Sequence, residues 1–321
     1  MQFIKMHGLG NDYVYVNGFS EPLPDHDDAL ADLARCVSDR HTGIGADGLI
    51  LVLPPQAGPD AHEPAHVGMR MFNADGSEGE MCGNGIRCVC KLVHDHGILL
   101  AQAGQDQTPN PLNIETAAGI LSLDYQTGDD GKVNRVTVDM GTPILTPKEI
   151  PIDEAELGPT AQPQTFMVPV TDRGQHEPSE FLTATFVSMG NPHAVIFVDD
   201  LDAIDFPRLG PLLERHAAFP QRMNVHFVQL HAAAGEARHP EGVPRARVVH
   251  WERGSGPTLA CGTGACAVAV AAFLTQRLNP EGERRVITHL PGGDLDLTWR
   301  DDDHVLMTGP ATEVFIGDYP A

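Results

Sequence analysis

Two stretches constrain the fold more than anything else in the chain. They are "FNADGSEGEMCGNG", ending at Gly85, and "HWERGSGPTLACGTG", ending at Gly264. With Cys82 set opposite Cys261, Asn73 falls opposite Glu252. Upstream, "HGLGNDYVYV" from His7 matches "VSMGNPHAVIFV" from Val187, with Gly10-Asn11 opposite Gly190-Asn191. The two matches have nearly the same offset, 180 and 179 residues. A shared offset over separate motifs argues for an internal duplication, so the chain must build two similar lobes.

Each half reads as many strands around one main helix. Apolar or β-branched runs at 13–16, 49–53, 67–72, 112–116, 120–125 and 133–139 predict strands in the first half. Runs at 181–188, 194–198, 225–229, 246–251, 285–289, 295–299 and 304–308 predict them in the second. Helices are expected at 86–95, stopped by Gly97, and at 265–277, ended by Asn279-Pro280. Shorter ones are expected at 27–37 and 209–217. The expected class is α+β: two pseudo-symmetric lobes, each a curved, largely antiparallel sheet around a central helix, with the active site between them. The lobes are expected at 1–126 and 127–307, and the Gly- and Asp-rich segment 119–141 is the expected crossing.

At 321 residues, 41% of them hydrophobic, two domains with real cores are affordable. The net charge of −23 opposes binding to nucleic acid and to anionic membranes. The longest apolar run, Ala265–Leu274, is about half of what a helix needs to cross a bilayer. The N-terminus lacks a signal peptide's apolar stretch, so a cytoplasmic location and free thiols are expected for the six cysteines. Cys82, Cys88, Cys90, His94 and His96 cluster, yet no C-x2-C pair exists, so no metal site is expected.

Each motif puts Cys-Gly-x-Gly at a helix start. The first helical N–H groups have no partner there and the dipole is positive, so a carboxylate can dock. Glycine permits close approach of a ligand. The same position is expected to lower a thiol's pKa. Two such sites facing one small carboxylate ligand would put a cysteine on each face of its α-carbon, which suits stereoinversion by two bases without a cofactor.

The strings "KMHGLGND", "GIGADG", "FNADGSEGEMCGNGIR", "SMGNPH", "ERGSGPTLACGTGA" and "LPGG" resemble those of diaminopimelate epimerases. The resemblance runs nearly end to end. It implies a cofactor-independent epimerase that interconverts L,L- and meso-diaminopimelate on the route to lysine and peptidoglycan precursors. It implies Cys82 and Cys261 as the two bases, with Cys82 taking the proton from the L,L substrate. Gly83-Asn84 and Gly262-Thr263 would hold the reacting carboxylate through backbone N–H groups, and Glu252 the reacting ammonium. His193 with Glu252 would support the cysteines. Asn73, Asn191, Asn224 and Arg253 would hold the distal amino-acid end, and Asn11 falls on a further binding position. Some relatives carry a glutamine contact where this chain has Gly48. The resemblance also implies that a last strand near 313–317, within 308–321, returns to the N-terminal lobe, and a homodimer is its expected assembly. The alternatives are a proline racemase or 4-hydroxyproline epimerase on the same scaffold, a phenazine-type isomerase, which lacks the cysteine pair, and a non-enzymatic thiol or zinc-binding protein.

Overall fold

The structure is a computed structural model that describes residues 1–56, 64–79, 81–103, 107–172, 174–231, 242–278 and 283–320. The chain forms two compact units, Met1–Asp139 with Thr308–Ala321, and Met140–Met307. The first unit therefore extends past the boundary expected at residue 126. That boundary would cut the strand Gly119–Thr127, which is paired antiparallel with Val133–Asp139. The strand Thr312–Asp318 belongs to the first unit and pairs antiparallel with the first strand, Gln2–Gly8.

Five α-helices lie among the described residues: α1 (Asp27–Ser38), α2 (Gly83–Asp95), α3 (Ile98–Ala103), α4 (Phe206–Glu214) and α5 (Gly262–Leu274). Asn279 and Pro280, expected to end α5, lie outside the described residues. Strands dominate, and the two units repeat one connectivity. In the first, strand 11–17 pairs parallel with Gly48–Leu53, and Val67–Asn73 pairs parallel with Leu112–Thr116. In the second, Pro192–Phe197 pairs parallel with Asn224–His231, and Arg245–Glu252 with Arg285–Leu290. The hairpin neighbours pair antiparallel, as in Gln2–Gly8 with Asn11–Asn17 and Arg285–Leu290 with Gly293–Trp299. Parallel neighbours need a long crossover, usually helical. Accordingly α1 and α4 occupy the first crossover of each unit, and α2 and α5 the second.

Within each unit the first and second crossover helices differ in burial. In the first unit α1 shows its apolar stripe to one sheet face, where Leu30, Ala34 and Val37 join Val14, Val16, Leu49, Leu51 and Phe72. In the second α4 does the same, with Leu209 and Leu213 against Val225 and Phe227. The alternate residues of those strands point to the opposite face, which α2 or α5 covers. There the Tyr15 hydroxyl donates to Gly85 O at 3.2 Å. A helix buried all round must be apolar all round or have every polar group partnered. α5 meets the first condition: Gly264–Phe273 is a continuous buried run without a charge. α2 meets the second. Its fully buried Arg87 donates to Gly83 O, Asn84 Oδ1 and Pro310 O, and Lys91 donates to Asp95 and Val133 O.

Candidate active site

The two Cys-Gly-x-Gly segments begin α2 and α5, and in each the cysteine is the N-cap residue. Helix therefore starts at Gly83 and Gly262, three residues before the expected starts. Glycine in a helix costs about 1 kcal/mol. Burying Ile86, Val89, Leu92 and Val93 offsets this, at roughly 1.5–3 kcal/mol for each fully buried side chain of that size. Close packing also favours glycine, most firmly at Gly264, where the neighbour is a buried ring. A Cβ at Gly85 would lie 2.7 Å from Ile50 Cδ1, and one at Gly264 would lie 2.4 Å from His226 Cε1.

In the first unit the Cys82 thiol donates to Asn11 Oδ1 at 3.4 Å, and its sulfur accepts from Gly85 N at 3.4 Å. Asn11 is fixed from behind. Its Nδ2 donates to Asp47 Oδ2 at 2.8 Å, which turns Oδ1 toward the sulfur. Asp47 is in turn held by Arg40 at 2.9 Å, and Arg40 bridges to Asp12, which pairs with the buried Lys5. Burial pushes the Cys82 thiol above its ordinary pKa, against the pull of the Gly85 N–H, the Tyr13 hydroxyl, the Asn84 N–H and the Arg87 charge. Gly83 and Asn84 form the first turn, and the buried Asn84 side chain accepts from Arg87 at 2.8 Å. Asn73 sits in a turn, with Nδ2 donating to Ser77 Oγ at 3.0 Å. Its strand partner is Gly48, where a Cβ would lie 2.2 Å from Phe72 O. No side chain fits at position 48 without moving that strand, so a glutamine contact there has no counterpart in this chain.

In the second unit Cys261 lies 3.6 Å from Thr263 Oγ1 and hydrogen-bonds Glu252. Thr258 Oγ1 donates to Glu252 Oε1. Burial raises the Cys261 thiol well above its ordinary pKa. The Glu252 charge raises it further, and the Thr263 hydroxyl and Gly264 N–H oppose this only in part. The lowering expected for both thiols is thus overturned: burial outweighs the helix ends. The two differ in kind, however. Beside Cys82 the neighbouring groups favour thiolate, whereas beside Cys261 a carboxylate favours thiol.

Asn191 Oδ1 lies 2.8 Å from His193 Nε2, and His193 Nδ1 lies 2.8 Å from His226 Nε2. Both ring nitrogens of His193 are therefore engaged, by Asn191 on one side and His226 on the other. The buried Asn224 ties two strands together: Nδ2 donates to Pro192 O at 2.9 Å and Oδ1 accepts from Arg253 N at 2.9 Å. The exposed Arg253 guanidinium donates to Gln221 O at 3.1 Å, and no ion pair holds it among the described residues.

Among the described residues no group of three or more His, Cys, Asp or Glu could hold a metal ion. Cys88 and Cys90 are buried, and burial pushes Cys88 up to about 11. His94 turns to Asp95, and His96 to Glu313. No helix of the described residues is long and apolar enough to cross a membrane. Sequence reasoning missed Tyr13, Asp47 and Arg87, although all three lie in or next to the quoted motifs. It also missed His226 and His250, which occupy strand positions whose neighbours Val225, Phe227 and Val249 are apolar.

The family model for diaminopimelate epimerase matches residues 3–146 and 185–314. A relative from Desulfovibrio desulfuricans, "Diaminopimelate epimerase", is 46% identical over 99% of this chain and 98% of its own. One of the same name from Agathobacter rectalis is 46% identical over 99% of both chains. Among solved structures, a phenazine biosynthesis protein of the PhzF family from Bacillus anthracis covers 100% of this chain and 99% of its own, with TM-score 0.62 and 15% identity. A probable proline racemase from Agrobacterium radiobacter K84 covers 99% and 92%, with TM-score 0.61 and 15% identity. At such identities the likeness is one of fold: a two-lobed, sheet-dominated α+β architecture shared across several chemistries.

Proposed function

This chain belongs to the diaminopimelate epimerase family, and on that premise we propose that it inverts one α-carbon of diaminopimelate with two cysteines and no cofactor. The observation that carries this reading is the pair of helix starts with cysteine at the N-cap position and opposite local electrostatics. Two-base inversion needs one base and one acid at the start of each turnover. Cys82, facing the Tyr13 hydroxyl, two N–H groups and Arg87, is the easier thiol to ionise and takes the α-proton of the L,L substrate. Cys261, kept protonated by burial and by the Glu252 charge, delivers a proton to the opposite face. One C–H bond breaks and one forms, and the pair ends with Cys82 as thiol and Cys261 as thiolate, ready for the reverse reaction.

The first-turn N–H groups of both helices accept the negative charge that builds on the reacting carboxylate as the carbanion forms. Glu252 binds the reacting ammonium. Asn73, Asn191, Asn224 and Arg253 hold the distal end, and Asn11 orients the Cys82 thiol. This places the enzyme in the cytoplasmic synthesis of lysine and peptidoglycan precursors. The test is turnover of L,L-diaminopimelate by dialysed protein in the presence of a chelator, with L-proline alongside. Turnover of proline alone would overturn the substrate assignment, and dependence on added metal would overturn the mechanism.

Arg253 distinguishes the substrate's second carboxylate. Guanidinium grips a carboxylate with two parallel hydrogen bonds, which lysine cannot reproduce. Arg253→Lys should lower kcat/KM for diaminopimelate about tenfold or more, the value of one charge-assisted bond of ~1.5–3 kcal/mol. It should leave any residual turnover of substrates lacking that carboxylate unchanged. Equal losses on both kinds of substrate would contradict the assignment.

The homodimer is proposed to form on the strand Thr312–Asp318. Val314, Phe315 and Ile316 are consecutive, large, apolar and about half exposed, and so long an apolar strip is an association surface rather than an ordinary solvated one. Phe315→Asp should shift the protein to monomer in sedimentation velocity. A dimer of unchanged stability would show that the strip is not the interface.

A further inference from the structure

The mechanism above leaves unused a line of three buried histidines on neighbouring strands of the second unit. His193, His226 and His250 have 0%, 0% and 1% exposure. Register brings them together: His226 pairs with His250 across the antiparallel ladder, and His193 lies on the parallel neighbour of the central strand. The contacts run in single file. Asn191 Oδ1 meets His193 Nε2 at 2.8 Å, His193 Nδ1 meets His226 Nε2 at 2.8 Å, and His226 Nδ1 meets His250 Nδ1 at 2.6 Å. The line stops at His250 Nε2, which is buried and has no partner among the described residues.

A neutral imidazole has one N–H and one lone pair, so each ring passes on the polarity that it receives. All three rings are held neutral by burial, which lowers His193 and His250 to about 3 and His226 in the same direction. Two settings of the whole line are therefore possible. In one, the terminal His250 Nε2 is a bare lone pair. His250 Nδ1–H then donates to His226, His226 Nε2–H donates to His193, and His193 Nε2–H donates to Asn191 Oδ1. In the reversed setting His250 Nε2 carries an N–H with no acceptor. Orphaned buried donors are rarer in proteins than orphaned acceptors, so the first setting wins. His226 cannot turn away to another partner, because its ring lies against Gly264 in the first turn of α5.

We infer that His226 and His250 are positioning residues that fix the polarity of Asn191, so that its amide Nδ2 is presented outward as a hydrogen-bond donor to a carboxylate of the substrate. Asn191 Nδ2 has no partner among the described residues, and the residue is only half-buried. A free asparagine amide can flip and offer an acceptor instead, which would repel a carboxylate. The dead end at His250, three hydrogen bonds away, removes that option. This inference rests on the reading of Asn191 as a substrate contact.

The experiment has two arms. The first needs no turnover: imidazole 15N shifts of the wild-type protein should show Nε2 protonated in His193 and His226 and Nδ1 protonated in His250. The second compares two variants. His226→Gln keeps the polarity, since its amide can donate to His193 and accept from His250. His226→Met has similar bulk but cuts the line. The Met variant should raise KM for diaminopimelate tenfold or more, with kcat within about threefold, the size expected for losing one hydrogen bond to a charged group. The Gln variant should stay within about threefold of wild type in KM. Mixed or reversed ring tautomers would overturn the inference whatever the activity. So would Gln and Met variants with equal KM. Absence of diaminopimelate turnover in the wild type would instead refute the substrate assignment, and the ring-nitrogen arm would still decide the polarity.

Discussion

Alanine at position 82 or position 261 should slow inversion of L,L-diaminopimelate roughly a thousandfold or more, since a positioned acid or base contributes ~10²–10⁴ and each turnover uses both. Either change alone suffices, because each direction needs one base and one acid. The loss should appear in kcat. The proposed cradle of first-turn N–H groups at Gly83-Asn84 and Gly262-Thr263 is untouched, so KM should move little. Stability is a separate readout. Cys82 caps α2 by accepting from Gly85 N, and losing such a cap costs about 1 kcal/mol. Cys261 makes no side-chain cap, so Cys261→Ala should unfold at nearly the wild-type denaturant concentration. A folded variant of either kind that keeps near-normal inversion would rule out the two-base assignment.

The second large effect is loss of stability in mild acid. His193 and His250 are held near pKa 3 in the folded protein, whereas an unfolded histidine titrates near 6.5. The folded pKa is the depressed one, so below about pH 6.5 the unfolded chain binds protons that the folded chain refuses. Stability is thus fully present above pH 6.5 and is lost as pH falls toward 3. At pH 5 each of the two costs about 2 kcal/mol, and His226 adds in the same direction. A domain has only ~5–15 kcal/mol to lose. One effect opposes this: the charge of −23 shrinks as pH falls, which relieves self-repulsion. That repulsion is spread over the surface and screened by salt, whereas the histidines are buried. Urea unfolding at 0.15 M salt should therefore show a steep decline between pH 6.5 and 5, ahead of most carboxylate titration. A flat profile over that range would show that the rings are charged or hydrated when folded.

Much of the fold could be read from the sequence because duplication made each half a check on the other. The strands with apolar runs stand where expected, within a few residues. What was missed has physical causes. Gln2–Gly8 carries Lys5, whose charge broke the apolar pattern; in the structure it is buried against Asp12 and Gly45 O. Thr165–Val170 contains Pro169, which demotes a strand on paper, yet Pro169 still pairs with Phe181. Both helices start before the expected residues 86 and 265: Gly-x-Gly favours a turn, and only the burial of α2 and α5 overrides that preference. The cysteines, the asparagines and Glu252-Arg253 came from motifs. Their supports could not. Asp47 orienting Asn11, and His226 with His250 behind His193, are set by strand register, and register is not written in any single stretch.

Inversion by one thiol on each face of the α-carbon is proposed, and isotope uptake at that carbon distinguishes it from exchange by a single base. L,L-diaminopimelate should be incubated with dialysed enzyme in deuterated water and followed from the first turnovers. One deuterium is expected at the inverted α-carbon of nearly every meso product molecule, and almost none in the remaining L,L substrate, because the proton removed by Cys82 stays on its sulfur while Cys261 delivers deuterium from the other side. Product that retains the substrate's own hydrogen, or substrate that fills with deuterium as fast as product forms, would show one base serving both faces and would contradict it.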